Sequence, residues 1–139
     1  LRDRFDHIII DSPSSLGFLT VCSLAAADSL LLPLWCRPDA VTQLGWFLQL
    51  AVSVRQRLNF AFKISGALFT RCETLDEARR VLDEEAFQSI EGIVLPSTIP
   101  VSTDLQEAAG LHQPVVSRDI MSAASQRYLD LTATVMTAA

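Results

Sequence analysis

Lysine is all but missing from this chain. Lys63 is the only one among 139 residues, and arginine supplies the rest of the positive charge. Lys63 sits in an apolar, strand-like stretch with no glycine-rich turn beside it. With a net charge of −5, the surface as a whole is not a nucleic-acid magnet, although a local basic patch is compatible with it. Cysteine is also sparse: Cys22, Cys36 and Cys72 are odd in number and lack CxxC spacing. They read as reduced thiols in a cytoplasmic protein, not as a disulfide framework or a zinc site. Long apolar runs are absent too. Leu30 to Trp35 is broken by Pro33 and is far too short to cross a bilayer. The charged opening Leu1–Asp6 is unlike a signal peptide. It lacks an initiating Met and stands only a few residues before an apolar strand, as expected of a piece of a longer polypeptide.

What is present is half hydrophobic and only 19% charged, enough to bury one core. Ile8–Ile10 reads as a strand buried on both faces, followed by a helix from about 18 to 27. Residues 29–34 form a second strand candidate, with Pro33 near its end. Asp39 is placed to cap a helix over 40–58, where Val41, Leu44, Phe47, Leu48 and Ala51 recur at a helical period. Trp46 on that helix is expected to pack. Residues 62–70 form a third strand and 93–100 a fourth, with a charge-dense helix over 75–89 between them. A short helix near 103–109 stops at Gly110, and a last helix covers 122–136, with Tyr128, Leu131 and Val135 on one face. Strands alternating with helices predict one α/β domain over 1–139, a parallel doubly wound sheet with flanking helices.

The chemistry concentrates in Phe5-Asp6-His7-Ile8-Ile9-Ile10-Asp11-Ser12-Pro13-Ser14-Ser15-Leu16-Gly17. Open α/β sheets bind ligands at the carboxyl ends of their strands, and Asp11 stands at such an end. Two roles fit it equally: holding Mg²⁺ next to a phosphate, or capping the turn into the next helix. A serine hydrolase is not expected, because Ser14 and Ser15 lack a G-x-S-x-G elbow and His7 and His112 stand alone.

Asp11 to Gly17, followed by Leu19-Thr20 and Ala25-Ala26-Ala27-Asp28, resembles the second half of ParA/MinD-type ATPases. In that family an Asp-x-Pro loop after an apolar strand leads to an Ala-rich helix and then to a strand ending in Pro. The similarity runs from Phe5 to about Tyr128. It implies a partial P-loop NTPase fold, with this chain as the C-terminal portion of the nucleotide-binding domain and ATP and Mg²⁺ as cofactors. Asp11 would be the catalytic carboxylate, contacting Mg²⁺ through water, and Pro13 would shape the loop that senses the γ-phosphate. Thr70 and Arg71 match the strand end near the base, and Pro100 and Val101 match the Ile-Pro segment that flanks the adenine.

The resemblance further implies a homodimer in the complete protein, a stimulatory partner such as a centromere-binding protein, and a bacterial cytoplasmic setting. The work would be plasmid partition, chromosome segregation or the positioning of other cargo. Non-specific DNA binding would fall to Arg55, Arg57, Arg79 and Arg80; the last two lie among acidic neighbours, where a solvated face is the simpler role. A membrane partner is not expected, since the final helix is rich in Ala and Thr and carries only Arg127.

Two segments depart from the family: Ser14 replaces the second Pro of the loop, and Val101-Ser102 follow Ile99-Pro100 where many members carry Arg-Asn. More consequentially, nothing here matches the glycine-rich, lysine-bearing phosphate loop. Phosphoryl transfer of this type depends on that loop, so the chain alone is not expected to hydrolyse ATP. In the family that loop's strand lies beside the strand ending in Asp11, and without it an apolar edge would be exposed. Two other readings compete. One is a degenerate, non-enzymatic scaffold with the same fold. The other is a receiver-like domain, which needs an acidic cluster where only Asp11 is found.

Overall fold

Leu- and Phe-rich stretches separated by helical segments build a three-stranded parallel sheet in the order β1-β2-β3. The strands are β1 (Ser29–Trp35), β2 (Lys63–Thr70) and β3 (Val94–Ile99). The computed structural model describes residues 3–138. Helix α1 (Phe18–Ala26) precedes the sheet, and α2 (Ala40–Arg57) connects β1 to β2. Helices α3 (Leu75–Val81) and α4 (Glu84–Ile90), with a 3-10 turn at Glu91–Ile93, connect β2 to β3. Helices α5 (Thr103–Gly110), α6 (Val115–Arg118) and α7 (Ala123–Ala138) follow.

β2 is the central strand, and its alternation divides the core between the two faces of the sheet. Ala67 and Phe69 point to one face, where they pack with Leu32 and Leu34 of β1, Leu44 of α2, Ala78 of α3, Phe87 of α4 and Leu82 between those two helices. The Phe69 and Phe87 rings stack with centroids 6.1 Å apart. Leu68 points to the other face and packs with Leu95, Ile99 and Leu131 of α7. Helices therefore cover both faces, the doubly wound arrangement expected. A separate cluster of Leu24, Ala51, Val54 and Phe62 fastens α1 to α2.

The apolar stretch Ile8–Ile10 is not a strand. It is exposed coil, with Ile9 93% exposed. Strand structure needs a neighbour for its backbone N–H and C=O groups, and no described strand lies beside these residues. Pro33 lies inside β1, opposite Leu68, rather than at its terminus. The position is tolerable because β1 is an edge strand with one side unpaired.

Other differences have local causes. The expected helix over 75–89 breaks at Leu82, which takes an extended ψ of 140°. Asp83 then caps a new helix by accepting from the Ala86 N–H at 2.7 Å. Asp39 stands at the start of α2 without a side-chain cap; its carboxylate instead accepts from Gln43 Nε2 at 2.7 Å and pairs with Arg37. Trp46 does not pack, being 61% exposed. On α7 Leu131 is buried, whereas Tyr128 is exposed.

Candidate functional site

The C-terminal edge of the sheet is stitched across all three strands. Past the last pair of the ladder, Trp35 with Thr70, the Cys36 N–H donates to the Thr70 carbonyl at 3.0 Å. The Thr70 hydroxyl donates back to the Leu34 carbonyl at 3.2 Å. Towards β3, the Cys72 N–H donates to the Ile99 carbonyl at 3.3 Å and the buried Thr98 hydroxyl to the Glu73 carbonyl at 2.9 Å. These bonds bring together four of the residues singled out above. Thr70 and Arg71 leave β2, and beside them Pro100 and Val101 leave β3, with Thr70 paired to Ile99. Pro100 is buried and Val101 exposed, so the segment shows a side chain to solvent on a fixed backbone.

Arg71 adopts φ 59°, the left-handed region that residues with a Cβ seldom enter. Its guanidinium carbon lies 4.3 Å from the centroid of the Trp35 ring, and that of Arg37 lies 5.3 Å from the same centroid. Beyond Arg71 the chain enters α3 through two side-chain-to-backbone bonds around its N-cap, Thr74. The Thr74 hydroxyl accepts from the Glu77 N–H at 3.2 Å, and the Glu77 carboxylate accepts from the Glu73 N–H at 2.8 Å. Two thiols lie under the edge. Burial pushes Cys72 up to about 12, with the Cys36 thiol and the Glu77 carboxylate acting in the same direction. Burial also raises Cys36. Both are neutral at physiological pH and poor nucleophiles.

Asp11 and Pro13 lie on a separate segment ahead of α1. Asp11 is exposed and makes no hydrogen bond or ion pair among the described residues. The cap of α1 is Gly17, without a side-chain bond, so Asp11 does not serve as that cap. What fixes the loop is Thr20, fully buried, whose hydroxyl lies 3.2 Å from the Pro13 carbonyl and 2.5 Å from the Ser15 carbonyl. As to Mg²⁺, no cluster of three His, Cys, Asp or Glu side chains exists among the described residues. An uncommitted carboxylate such as Asp11 fits an ion that takes its other ligands from phosphate oxygens and water.

The four arginines stand on two helices, Arg55 and Arg57 on α2 and Arg79 and Arg80 on α3. Arg79 pairs with Glu91 and lies over the Phe87 ring at 4.8 Å, and Arg80 donates to the Asp76 carbonyl at 3.2 Å. Arg55 and Arg57 stand in the last turn of α2, with Arg55 beside Val52, Gln56 and Phe60 in a shallow cleft. No described helix is long and apolar enough to cross a membrane.

Sequence comparison bears directly on this arrangement. A family profile described as an AAA domain matches residues 1–64. The sporulation initiation inhibitor protein Soj of Bacillus subtilis is 32% identical over 131 residues, covering 94% of this chain and 52% of that protein. The chromosome partitioning protein ParA of Myxococcus xanthus is 34% identical over 131 residues, covering 94% and 46%. Over nearly all of its length this chain is similar to ParA/MinD-type ATPases. The cell division ATPase MinD of Pyrococcus furiosus has the same fold, with a TM-score of 0.76 at 19% identity over 99% of this chain and 54% of its own. The chain spans about half the length of the relatives it matches.

The one signal for Trp35 in the sequence is its position, an aromatic at the end of a strand containing Pro, at the edge where this architecture binds ligands.

Proposed function

We propose that the complete protein binds Mg·ATP, dimerises, and uses hydrolysis to time the movement or segregation of DNA or protein cargo in the bacterial cytoplasm. The observation that carries this reading is the convergence of Thr70, Arg71, Pro100 and Val101 on one hydrogen-bonded edge. The chromosome-partitioning name of the Myxococcus xanthus relative supports it from a separate direction.

In this reading the residues of the chain have distinct tasks. Thr70, Arg71, Pro100 and Val101 form the base end of the site. Asp11, on a loop held by Thr20, faces the phosphate end and orients metal-bound water. Phosphate neutralisation falls to a glycine-rich loop outside residues 1–139, and the exposed apolar side chains of Ile8–Ile10 support a missing neighbour there. When bound, Mg²⁺ supplies charge neutralisation between the phosphates. Arg55 and Arg57 are the better candidates for DNA, because Arg79 is already engaged. A stimulatory partner, a centromere-binding protein or its equivalent, would act on the dimer.

Titration of a fluorescent ATP analogue with Mg²⁺ tests the proposal on two proteins. Residues 1–139 alone should show no saturable binding at millimolar nucleotide. The full-length protein should bind, and Asp11→Ala in it should lower turnover by about 100-fold. Saturable binding to residues 1–139 that Asp11→Ala abolishes would overturn the incomplete-site account. Full-length protein that binds partners without turning over ATP would support the scaffold reading instead.

A further inference from the structure

Two arginines address one indole at the C-terminal edge, and they are not equivalent. Arg37 is neutralised by its ion pair with Asp39. Arg71 makes no ion pair or hydrogen bond among the described residues; its one contact of this kind is the Trp35 ring, at 4.3 Å. The position of Arg71 follows from what flanks it. Thr70 is tied to Leu34 through its hydroxyl, and Cys72 is tied to Ile99 through its N–H and to the Thr74 carbonyl through its thiol. With both neighbours fixed, the left-handed turn at Arg71 persists, and its side chain returns over the end of β1 to lie against Trp35. Trp35 is 51% exposed, so the stack lies on the surface of the edge and not within the core.

We propose that Trp35 is a positioning residue that holds the Arg71 guanidinium as a flat ledge for the purine base of a nucleotide. The proposal rests on the nucleotide reading above and adds to it a residue that the family resemblance does not supply. A guanidinium held against an indole loses little further freedom on binding. It keeps its N–H edge for the ring nitrogens and carbonyl groups of a base, and it offers a planar surface for stacking. A mobile arginine would pay that ordering cost at each binding event.

The test uses the full-length protein and two probes, Mg·ATP and inorganic tripolyphosphate, with dissociation constants from equilibrium dialysis. Trp35→Ala and Arg71→Ala should each weaken ATP binding about fivefold, the scale of one cation–aromatic contact. The double variant should be no weaker than either single one, because the two side chains act as a unit. Trp35→Phe, which keeps a ring, should stay within about twofold of the parent. Tripolyphosphate binding should be unchanged throughout, which also checks that the variants fold.

Several results would overturn the ledge while leaving the nucleotide reading intact. These are unchanged ATP affinity in Trp35→Ala, fully additive losses in the double variant, or equal losses for tripolyphosphate, which would mark an anion site instead. Failure of the unaltered protein to bind ATP would overturn both.

Discussion

Gly66 and Leu95 meet across β2 and β3 with no space for a methyl group between them. A Cβ on Gly66 would stand 2.5 Å from Leu95 Cδ2 and 2.7 Å from Leu95 Cγ, with the Ile93 carbonyl oxygen at 3.2 Å. Gly66 also has φ 156°, beside the irregularity that shifts the β1–β2 register between Leu30 and Leu31. Gly66→Ala therefore combines overpacking with backbone strain at the centre of the sheet. It should cost about 3 kcal/mol, read as a lowered urea midpoint at unchanged slope.

Thr20 holds the loop that carries Asp11 and Pro13 through one hydroxyl. Thr20→Val keeps the shape and removes the donor, leaving two carbonyl oxygens to find water. The expected loss is about 1 kcal/mol of global stability. A larger local effect should appear as faster amide exchange at Val21, whose N–H donates to the Gly17 carbonyl at the loop's end, with β2 unaltered.

Cys72 gives the protein an alkaline limit. From an ordinary value of 9.0 its thiol is pushed up to about 12 by burial. Below pH 9 both folded and unfolded chains keep the proton. Between pH 9 and about 12 the unfolded chain releases it and the folded chain does not, so the unfolded state binds fewer protons and stability falls as pH rises. Denaturation midpoints measured across that window should decline, and Cys72→Ala should flatten the decline. Cys36, also raised by burial, will leave some of the slope in place. At neutral pH a thiol reagent should modify the exposed Cys22 in the native protein and reach Cys72 only on unfolding.

How much of this was legible in sequence differs from residue to residue. The leucines of β1 and the Phe62–Thr70 run announced their strands, because those residues are buried between helices that the same chain provides. Ile8–Ile10 carried an equally strong pattern and formed nothing, since strand propensity expresses packing against a neighbour and no described neighbour is present. The break at Leu82 is signalled by Asp83 ahead of Glu84 and Glu85, a cap hidden within a stretch whose charge pattern is helical throughout. Thr70, Arg71, Pro100 and Val101 could be located at strand ends by motif. The return of Arg71 over Trp35 depends on a left-handed φ fixed by hydrogen bonds from two other strands, and no local pattern encodes that.

The order β1-β2-β3 has a consequence for how the chain is made. Each strand pairs with the one synthesised just before it, so none must be inserted between two already joined. As the polypeptide leaves the ribosome, β2 meets β1 with α2 complete between them, and β3 then adds to the free side of β2. Assembly can keep pace with translation, one strand–helix unit at a time, and β1 and β2 are free to pair once Thr70 has cleared the exit tunnel.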